Sequence, residues 1–355
     1  MSFSYGNKIK ITSFGQSHSQ MMGVVIEGLP SGIRINEEKL AEFMARRAPG
    51  NDEFSTPRKE GDRVQFVSGI VDGKTCGAPL CGIIENTNTR GKDYDNLREV
   101  PRPGHSDFAA WAKFGDSRDV AGGGQFSGRL TATLCIAGGI CKQLLEEKGI
   151  SIGAHISSIG NTEDDLFDKC NVKAEDFPGK KDFPVLNDQK GELMKEEIRK
   201  AKKELDSIGG TVECAILGVE PGMGDTLFGG WESALSSAVF AIPAVKGIEF
   251  GNGFGAAALR GSENNDPFEI KDGKVITSTN NHGGILGGVS SGMPIIFRAA
   301  FKPTPSIGKE QQSVSLSKGE NTVIEIKGRH DPCIVKRAVV CVEAVAAIVT
   351  ANMVL

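Results

Sequence analysis

Cysteine is sparse. The eight residues, at positions 76, 81, 135, 141, 170, 214, 333 and 341 of 355, include no CxxC pair. That excludes a disulfide scaffold and reads as buried thiols in a reducing compartment. The five histidines (18, 105, 155, 282 and 330) never form HxxxH or flank a cysteine pair, so zinc-ligand spacing is missing and no metal site is expected. Charge of one sign is lacking too. Lys+Arg 41 against Asp+Glu 45 gives −4, which argues against a general nucleic-acid binder. No apolar run reaches the roughly 18 uncharged residues of a membrane span. The longest, near Ala338 to Leu355, is interrupted by Glu343, and Met1 to Phe14 lacks the apolar stretch of a signal peptide. The expectation is a soluble cytoplasmic protein with no nucleic-acid or membrane partner.

What the chain has is glycine, 46 residues of 355, against a usual level of about 7%. Turns must therefore be numerous. With 39% hydrophobic residues the chain can bury a sizeable core, as one large or two ordinary domains. No repeat or low-complexity linker divides it, and a single unit over 1–355 is expected. The one shift in composition is a polar stretch from Asn161 to Lys203, read as an insertion or edge region around 161–208. Within it, Met194, Ile198, Ala201 and Leu205 predict a surface helix over 192–205. Further helices are predicted over Glu37 to Arg47, capped by Asn36, over about Gly128 to Lys148, near Glu232 to Ile242, and near Ile334 to Ala351. Strands are expected over 23–27, 63–70, 80–85, 211–219, 294–302 and 321–326. They do not alternate regularly with helices, which favours an α+β fold over a doubly wound parallel sheet.

Chemistry-bearing residues gather in five short segments. Thr12 to His18 places a histidine in a turn, readable as an acid or base or as a hydrogen-bonded structural histidine. It reads GxSxS and so lacks the last glycine of a hydrolase nucleophile elbow. Arg102-Pro103-Gly104-His105-Ser106-Asp107 precedes a short helix ending near Gly115 that Ser106 is placed to cap. An arginine beside a histidine suits an anion that exchanges a proton; a surface turn is the plain alternative. Ala121 to Arg129 is glycine-rich and runs into a helix, which suits a phosphate, yet it matches neither GxGxxG nor a Walker loop. Gly283 to Gly288 and Lys302 to Ser306 form the fourth pair of turns. The fifth, Gly328 to Cys333, holds Asp331, either a helix cap or a base. Arg102, Arg129, Lys302 and Arg329, with Arg46 and Arg47, would make an anion-binding pocket for two phosphorylated ligands.

With these segments in order, the sequence resembles the chorismate synthase family from residue 8 to residue 353. The motifs are TSFGQSHS (12–19), RRAPG (46–50), RPGHSD (102–107), AGGGQFSGRLTA (121–132), PAVKGIEFGNGF (243–254), NNHGGILGGVSSGMPI (280–295), FKPTPSI (301–307) and GRHDPC (328–333). The resemblance implies a lyase that converts 5-enolpyruvylshikimate 3-phosphate to chorismate by anti-1,4-elimination of phosphate and the C6 proton. It implies dependence on reduced flavin mononucleotide (FMN) without net redox change, NADPH entering only as a flavin reductant. It also implies a β-α-β sandwich, with helices between two antiparallel sheets, assembled as a homotetramer. By motif position it makes His105 the group that protonates reduced flavin. His18, beside Ser17, would assist at the leaving phosphate, and Asp331 would help removal of the C6 proton. Substrate contacts fall on Arg46, Arg47, Arg102 and Arg129. Flavin contacts fall on Gly124, Gln125, Phe126, Ser127, Pro243, Ala244, Gly287, Lys302, Pro303, Thr304, Pro305, Ser306 and Arg329. Ser19, Gln16, Gln125 and Glu53 depart from residues common in the family. A non-catalytic flavin or phosphate-ligand binding protein is the competing expectation. With so few tyrosines and tryptophans, a flavin pocket here must be walled by backbone, small side chains and Phe126.

Overall fold

The computed structural model describes residues 3–49, 54, 61–86, 97–326 and 331–355. It is a mixed α/β fold in which helices pack against antiparallel sheets. The first sheet runs β1 (Ser4–Tyr5), β2 (Lys10–Gly15), β3 (Met21–Glu27), β7 (Leu80–Glu85) and β4 (Gln65–Ser68) in spatial order. The second runs β11 (Val245–Phe250), β16 (Ile295–Phe301), β10 (Gly210–Leu217), β8 (Ser151–Ile159) and β9 (Thr162–Glu163). Among the described residues, four two-stranded ribbons complete the strands: β5 (Ile70–Val71) with β6 (Lys74–Thr75), β12 (Phe268–Lys271) with β13 (Lys274–Thr277), β14 (Ile285–Leu286) with β15 (Val289–Ser290), and β17 (Gln311–Ser315) with β18 (Glu320–Ile324).

Helix α1 (Glu37–Arg47) forms where its cap predicts. The Asn36 side chain accepts from Lys39 N at 2.9 Å, and Leu40, Phe43 and Met44 are buried. Burying side chains of this size contributes about 1.5–3 kcal/mol each. Helix α2 is Asp107–Phe114, but Ser106 makes no side-chain cap bond, contrary to expectation. Helix α3 (Thr131–Glu146) starts later than Gly128 because Gly128–Leu130 coils as a tighter 3-10 turn. Helix α4 (Asp188–Lys203) starts four residues earlier than its apolar stripe suggests. There the Asn187 side chain accepts from Gln189 N at 3.0 Å and Lys190 N at 3.3 Å, fixing the start. Leu205 does not extend that stripe: it lies past the helix at φ 58° and is 61% exposed. Helices α5 (Trp231–Val239), α6 (Gly261–Asn264) and α7 (Val335–Val354) follow.

Helix α3 packs against β2 and β3 of the first sheet, α7 packs against β8 and β10 of the second, and the two helices pack on each other. Their crossing is close because Gly138 has no side chain: a Cβ there would lie 2.3 Å from Ala344 Cα. By length and composition α7 is apolar enough to cross a membrane, yet Ala344, Ala346, Ala347 and Val349 are wholly buried in the core. Glu343, the charge that interrupts its run, is neutralised there. Arg46 Nη1 donates to Oε2 at 2.9 Å, and Lys142 Nζ donates to Oε2 at 2.7 Å.

Candidate active site

Thr12 to Gly15 finish strand β2, and the chain turns at once, leaving Ser17 buried and His18 beside it, with Nδ1 3.2 Å from Ser17 Oγ. Ser17 N donates to Gly124 O at 3.2 Å, which seats this turn on the glycine segment. Gly122, Gly123 and Gly124 have φ of 60°, 84° and 52°, a left-handed run that side chains resist. A Cβ on Gly122 would lie 2.4 Å from His18 Cε1, and one on Gly123 3.2 Å from His105 Cε1. Glycine is needed here for both reasons, backbone angle and space. The two histidines, 87 residues apart in sequence, meet consecutive residues of one turn.

His105 belongs to a tightly bonded group. Arg102 donates through Nε to Asp107 Oδ2 at 2.7 Å and through Nη2 to Asp107 Oδ1 at 2.9 Å, and its Nη1 donates to Ser306 Oγ at 3.0 Å. His105 Nδ1 lies 2.6 Å from Asp107 Oδ1 and 3.0 Å from Arg102 Nη2. Burial pulls the His105 pKa below its ordinary 6.5. The Asp107 hydrogen bond resists, while the Arg102 and Lys302 charges add to the lowering. Burial would raise the Asp107 carboxyl, but bonds from Arg102 and His105 together hold it well below its usual range.

The Lys302 to Ser306 loop reaches the same place. Lys302 N donates to Ala244 O at 3.0 Å, and Lys302 Nζ donates to Gly104 O. Ala244 itself takes φ 75°, an unusual angle for a residue with a side chain. Thr304 Oγ1 donates to Asp331 O at 2.7 Å. The Asp331 carboxylate receives Arg337 Nη1 at 2.8 Å, and Arg337 Nε donates to Arg47 O at 2.9 Å. Asp331 therefore stands between the proline-rich loop and the end of α1.

Arg47 and Arg129 are both buried and share Asp62: Arg47 Nε donates to Oδ2 at 2.7 Å, and Arg129 Nη1 donates to Oδ1. Burial would raise Asp62, but the two arginines outweigh it and depress its pKa. Arg47 Nη1 is buried with no hydrogen-bond partner among the described residues. Asn86 connects this pair to the histidine turn, accepting from Arg129 Nε at 3.4 Å and donating to Ser19 O at 2.8 Å.

Of the residues expected at a site, Ser17, His18, Arg102, His105, Gly124, Arg129, Arg47, Ala244, Lys302, Thr304, Ser306 and Asp331 are linked by these contacts. Pro103 and Gly104 shape the turn between Arg102 and His105. Gln125, Phe126 and Ser127 continue the glycine segment. Phe126 is part exposed and tilted against Phe114 at 6.4 Å, and Ser127 Oγ accepts from Arg129 N at 3.3 Å. Pro243 precedes Ala244, and Pro303 and Pro305 flank Thr304. Arg46 is not brought here. Successive helical residues point about 100° apart, and Arg46 turns to Glu343 while Arg47 meets Asp62. Gly287 is an exposed tip of the β14–β15 ribbon, and its neighbour Gly288 packs on Asp225 and Gly230. Arg329 and Glu53 lie outside the described residues. Residues the sequence reading left without a role are Asp62, Asn86, Asp107 and Arg337; only Asp107 carried a local signal, two residues after His105 in a quoted motif. No group of three or more metal-ligating side chains occurs among the described residues.

The family model described as chorismate synthase matches residues 9–355. A chorismate synthase of Lachnoclostridium phytofermentans is 47% identical, the match covering 99% of this chain and 95% of the relative. Those of Lancefieldella parvula and Thermococcus kodakarensis are 45% and 44% identical, each over 98% of this chain and over 95% and 96% of the relative. A solved structure titled a crystal structure of chorismate synthase superposes with a TM-score of 0.76 at 27% identity, covering 98% of this chain and 92% of the other. The chain belongs to the chorismate synthase family, the lyases that convert 5-enolpyruvylshikimate 3-phosphate to chorismate in the shikimate pathway to the aromatic amino acids.

Proposed function

We propose that the elimination takes place against the glycine turn Gly122 to Gly124, with His18 and His105 as its proton-handling groups. The observation that carries this reading is that both rings meet that one turn, with Arg102 beside it and with Arg129 and Arg47 joined to the His18 turn through Asn86 and Asp62. Arg47, Arg102 and Arg129 hold the substrate's carboxylates and phosphate. As the C–O bond to phosphate breaks, negative charge grows on the leaving group, and buried cations fixed in advance stabilise it. His18, steadied by Ser17, serves that phosphate. His105 holds or releases a proton at Nε2, and Asp331 assists at the C6 hydrogen.

The residues present fit a reduced flavin mononucleotide. Lys302 offers a cation for its phosphate, Gly124 to Ser127 and Ala244 offer backbone, and Phe126 offers a part-exposed ring face. When bound, the reduced flavin supplies electron density to the breaking bonds and returns unchanged. We read the chain as one catalytic unit over 1–355, a β-α-β sandwich with α3 and α7 between the two sheets and the 161–208 region at the β9 edge. A cytoplasmic homotetramer is the proposed assembly. Leu227, Phe228 and Phe254, 82%, 95% and 86% exposed, are apolar side chains available for such an assembly to cover.

Anaerobic incubation with reduced flavin mononucleotide and 5-enolpyruvylshikimate 3-phosphate tests the reading. The expected result is one chorismate and one phosphate per substrate, with the flavin still reduced at the end. No product, or flavin oxidised in proportion to product, would overturn it. Oxidised flavin plus NADPH in the same vessel tells whether the chain reduces its own flavin.

A further inference from the structure

Asp107 opens helix α2 and is almost fully used: Oδ2 accepts Arg102 N at 3.1 Å and Arg102 Nε at 2.7 Å, while Oδ1 accepts Arg102 Nη2 at 2.9 Å and faces His105 Nδ1 at 2.6 Å. A guanidinium only donates. If His105 Nδ1 accepted from Arg102, its lone pair would confront the carboxylate at 2.6 Å, an arrangement with no proton between two acceptors. Nδ1 therefore carries the proton and donates to Asp107, and Arg102 Nη2 spends its bond on the same oxygen. This leaves Nε2 as the exchanging atom, and Nε2 is the ring nitrogen that faces Gly123, 3.3 Å from where a Cβ would stand.

We propose that Asp107 is a positioning residue that fixes the His105 ring and tautomer with Nε2 toward the glycine turn and ties it to the anion-binding Arg102. The proposal rests on the reading of His105 as a proton-handling group. Asp107 also sets when His105 titrates. Among the described residues, the charged groups acting on the ring are Arg102 in its own segment, Lys302 from the proline-rich loop and Asp107 from α2, and of these Asp107 alone favours the imidazolium. Its removal leaves burial and two cations, all pushing the same way, so the ring loses its proton at lower pH.

The test uses the full chain labelled with ¹⁵N on histidine, without flavin or substrate, in native form and as Asp107→Asn and Asp107→Glu, with His105→Gln to assign the signal. Wild type should show neutral His105 as the Nδ1–H tautomer. Asp107→Asn should titrate His105 at lower pH and mix the tautomers, and Asp107→Glu should restore much of both. In anaerobic turnover Asp107→Asn should lower kcat by about tenfold or more, the range of a lost general acid–base contribution being about 10²–10⁴, and move the alkaline limb of the pH profile to lower pH. An unchanged tautomer and titration in folded Asp107→Asn would overturn the proposal, as would an Nε2–H tautomer in wild type. If the spectra change as expected while His105→Gln keeps full turnover, the positioning stands and the catalytic reading of His105 fails.

Discussion

Arg47 and Arg129, on different helical segments 82 residues apart, are held by one carboxylate, that of Asp62, whose side chain is wholly buried. Removing it would leave two buried cations facing each other. Asp62→Ala should destabilise the chain by about 3–5 kcal/mol, the usual cost of breaking a buried pair from one side. Denaturant unfolding of the variant checks this. A loss under about 1 kcal/mol would mean that the arginines find water or another partner.

The glycine turn gives a sharper steric prediction. Gly122→Ala places a methyl within 2.6 Å of Ser17 Oγ and within 2.4 Å of His18, at a left-handed angle. It should cost about 1–3 kcal/mol of strain and, by displacing His18, about 100-fold in turnover. Gly128→Ala is the control, because a Cβ there meets nothing within 4 Å and its backbone angle is ordinary. Comparable losses in both variants would refute the steric account.

Much of this architecture was legible in the sequence, and the misses have local causes. Helix α1 announced itself because its cap, acidic first turn and apolar stripe agree. The apolar stripe places the start of α4 too late because that start depends on the Asn187 side chain, upstream of the first periodic residue. Arg46 and Arg47 are indistinguishable as a dipeptide; only the orientation of α1 sends one to Glu343 and the other to Asp62. Asp62 lies 15 residues from one arginine and 67 from the other, and no local pattern marks such a pairing. The histidines and glycines stand out in the sequence because they crowd into short turns, whereas Asp62 meets its partners only in the fold.

Acid should weaken the junction of α1, α3 and α7. Burial would raise the Glu343 carboxyl, but Arg46 and Lys142 outweigh it and hold it down to about 2, against an ordinary 4.5. A depressed carboxylate stabilises above its unfolded value and loses that contribution as pH falls toward the folded one. About 3 kcal/mol should therefore disappear between roughly pH 4.5 and 2, measurable as a falling denaturant midpoint. Glu343→Gln should start less stable and lose less over that interval; an identical acid loss in the variant would contradict the assignment.

Alkali should act elsewhere. His155, wholly buried, has Nε2 2.9 Å from Glu213 Oε2 and Nδ1 3.2 Å from Asp164 Oδ2. Burial alone would lower its pKa, yet these two carboxylates raise it above 6.5. The stability it contributes is fully present below 6.5 and lost as pH rises through the raised folded value. His155→Gln should be less stable at neutral pH and should lack this decline, read from thermal unfolding across the alkaline range. A decline of the same size in the variant would place the titration on another group.

The proposed homotetramer is testable at the exposed apolar side chains. If the chain is a tetramer as proposed, Phe228→Glu with Phe254→Glu should shift sedimentation toward smaller species while each chain stays folded. Sedimentation of the native chain as a monomer would overturn the proposed assembly, and an unaltered tetramer in the variant would move its interface away from these side chains.

His18 and His105, which meet consecutive residues of one glycine turn, are proposed to move protons for the elimination and not to anchor its anions. The most direct test is anaerobic phosphate release with reduced flavin mononucleotide and saturating substrate in wild type and His105→Ala, with substrate affinity measured alongside. Turnover about 100-fold slower, with affinity changed no more than a few-fold, is the predicted result; undiminished turnover, or a loss confined to affinity, would contradict it.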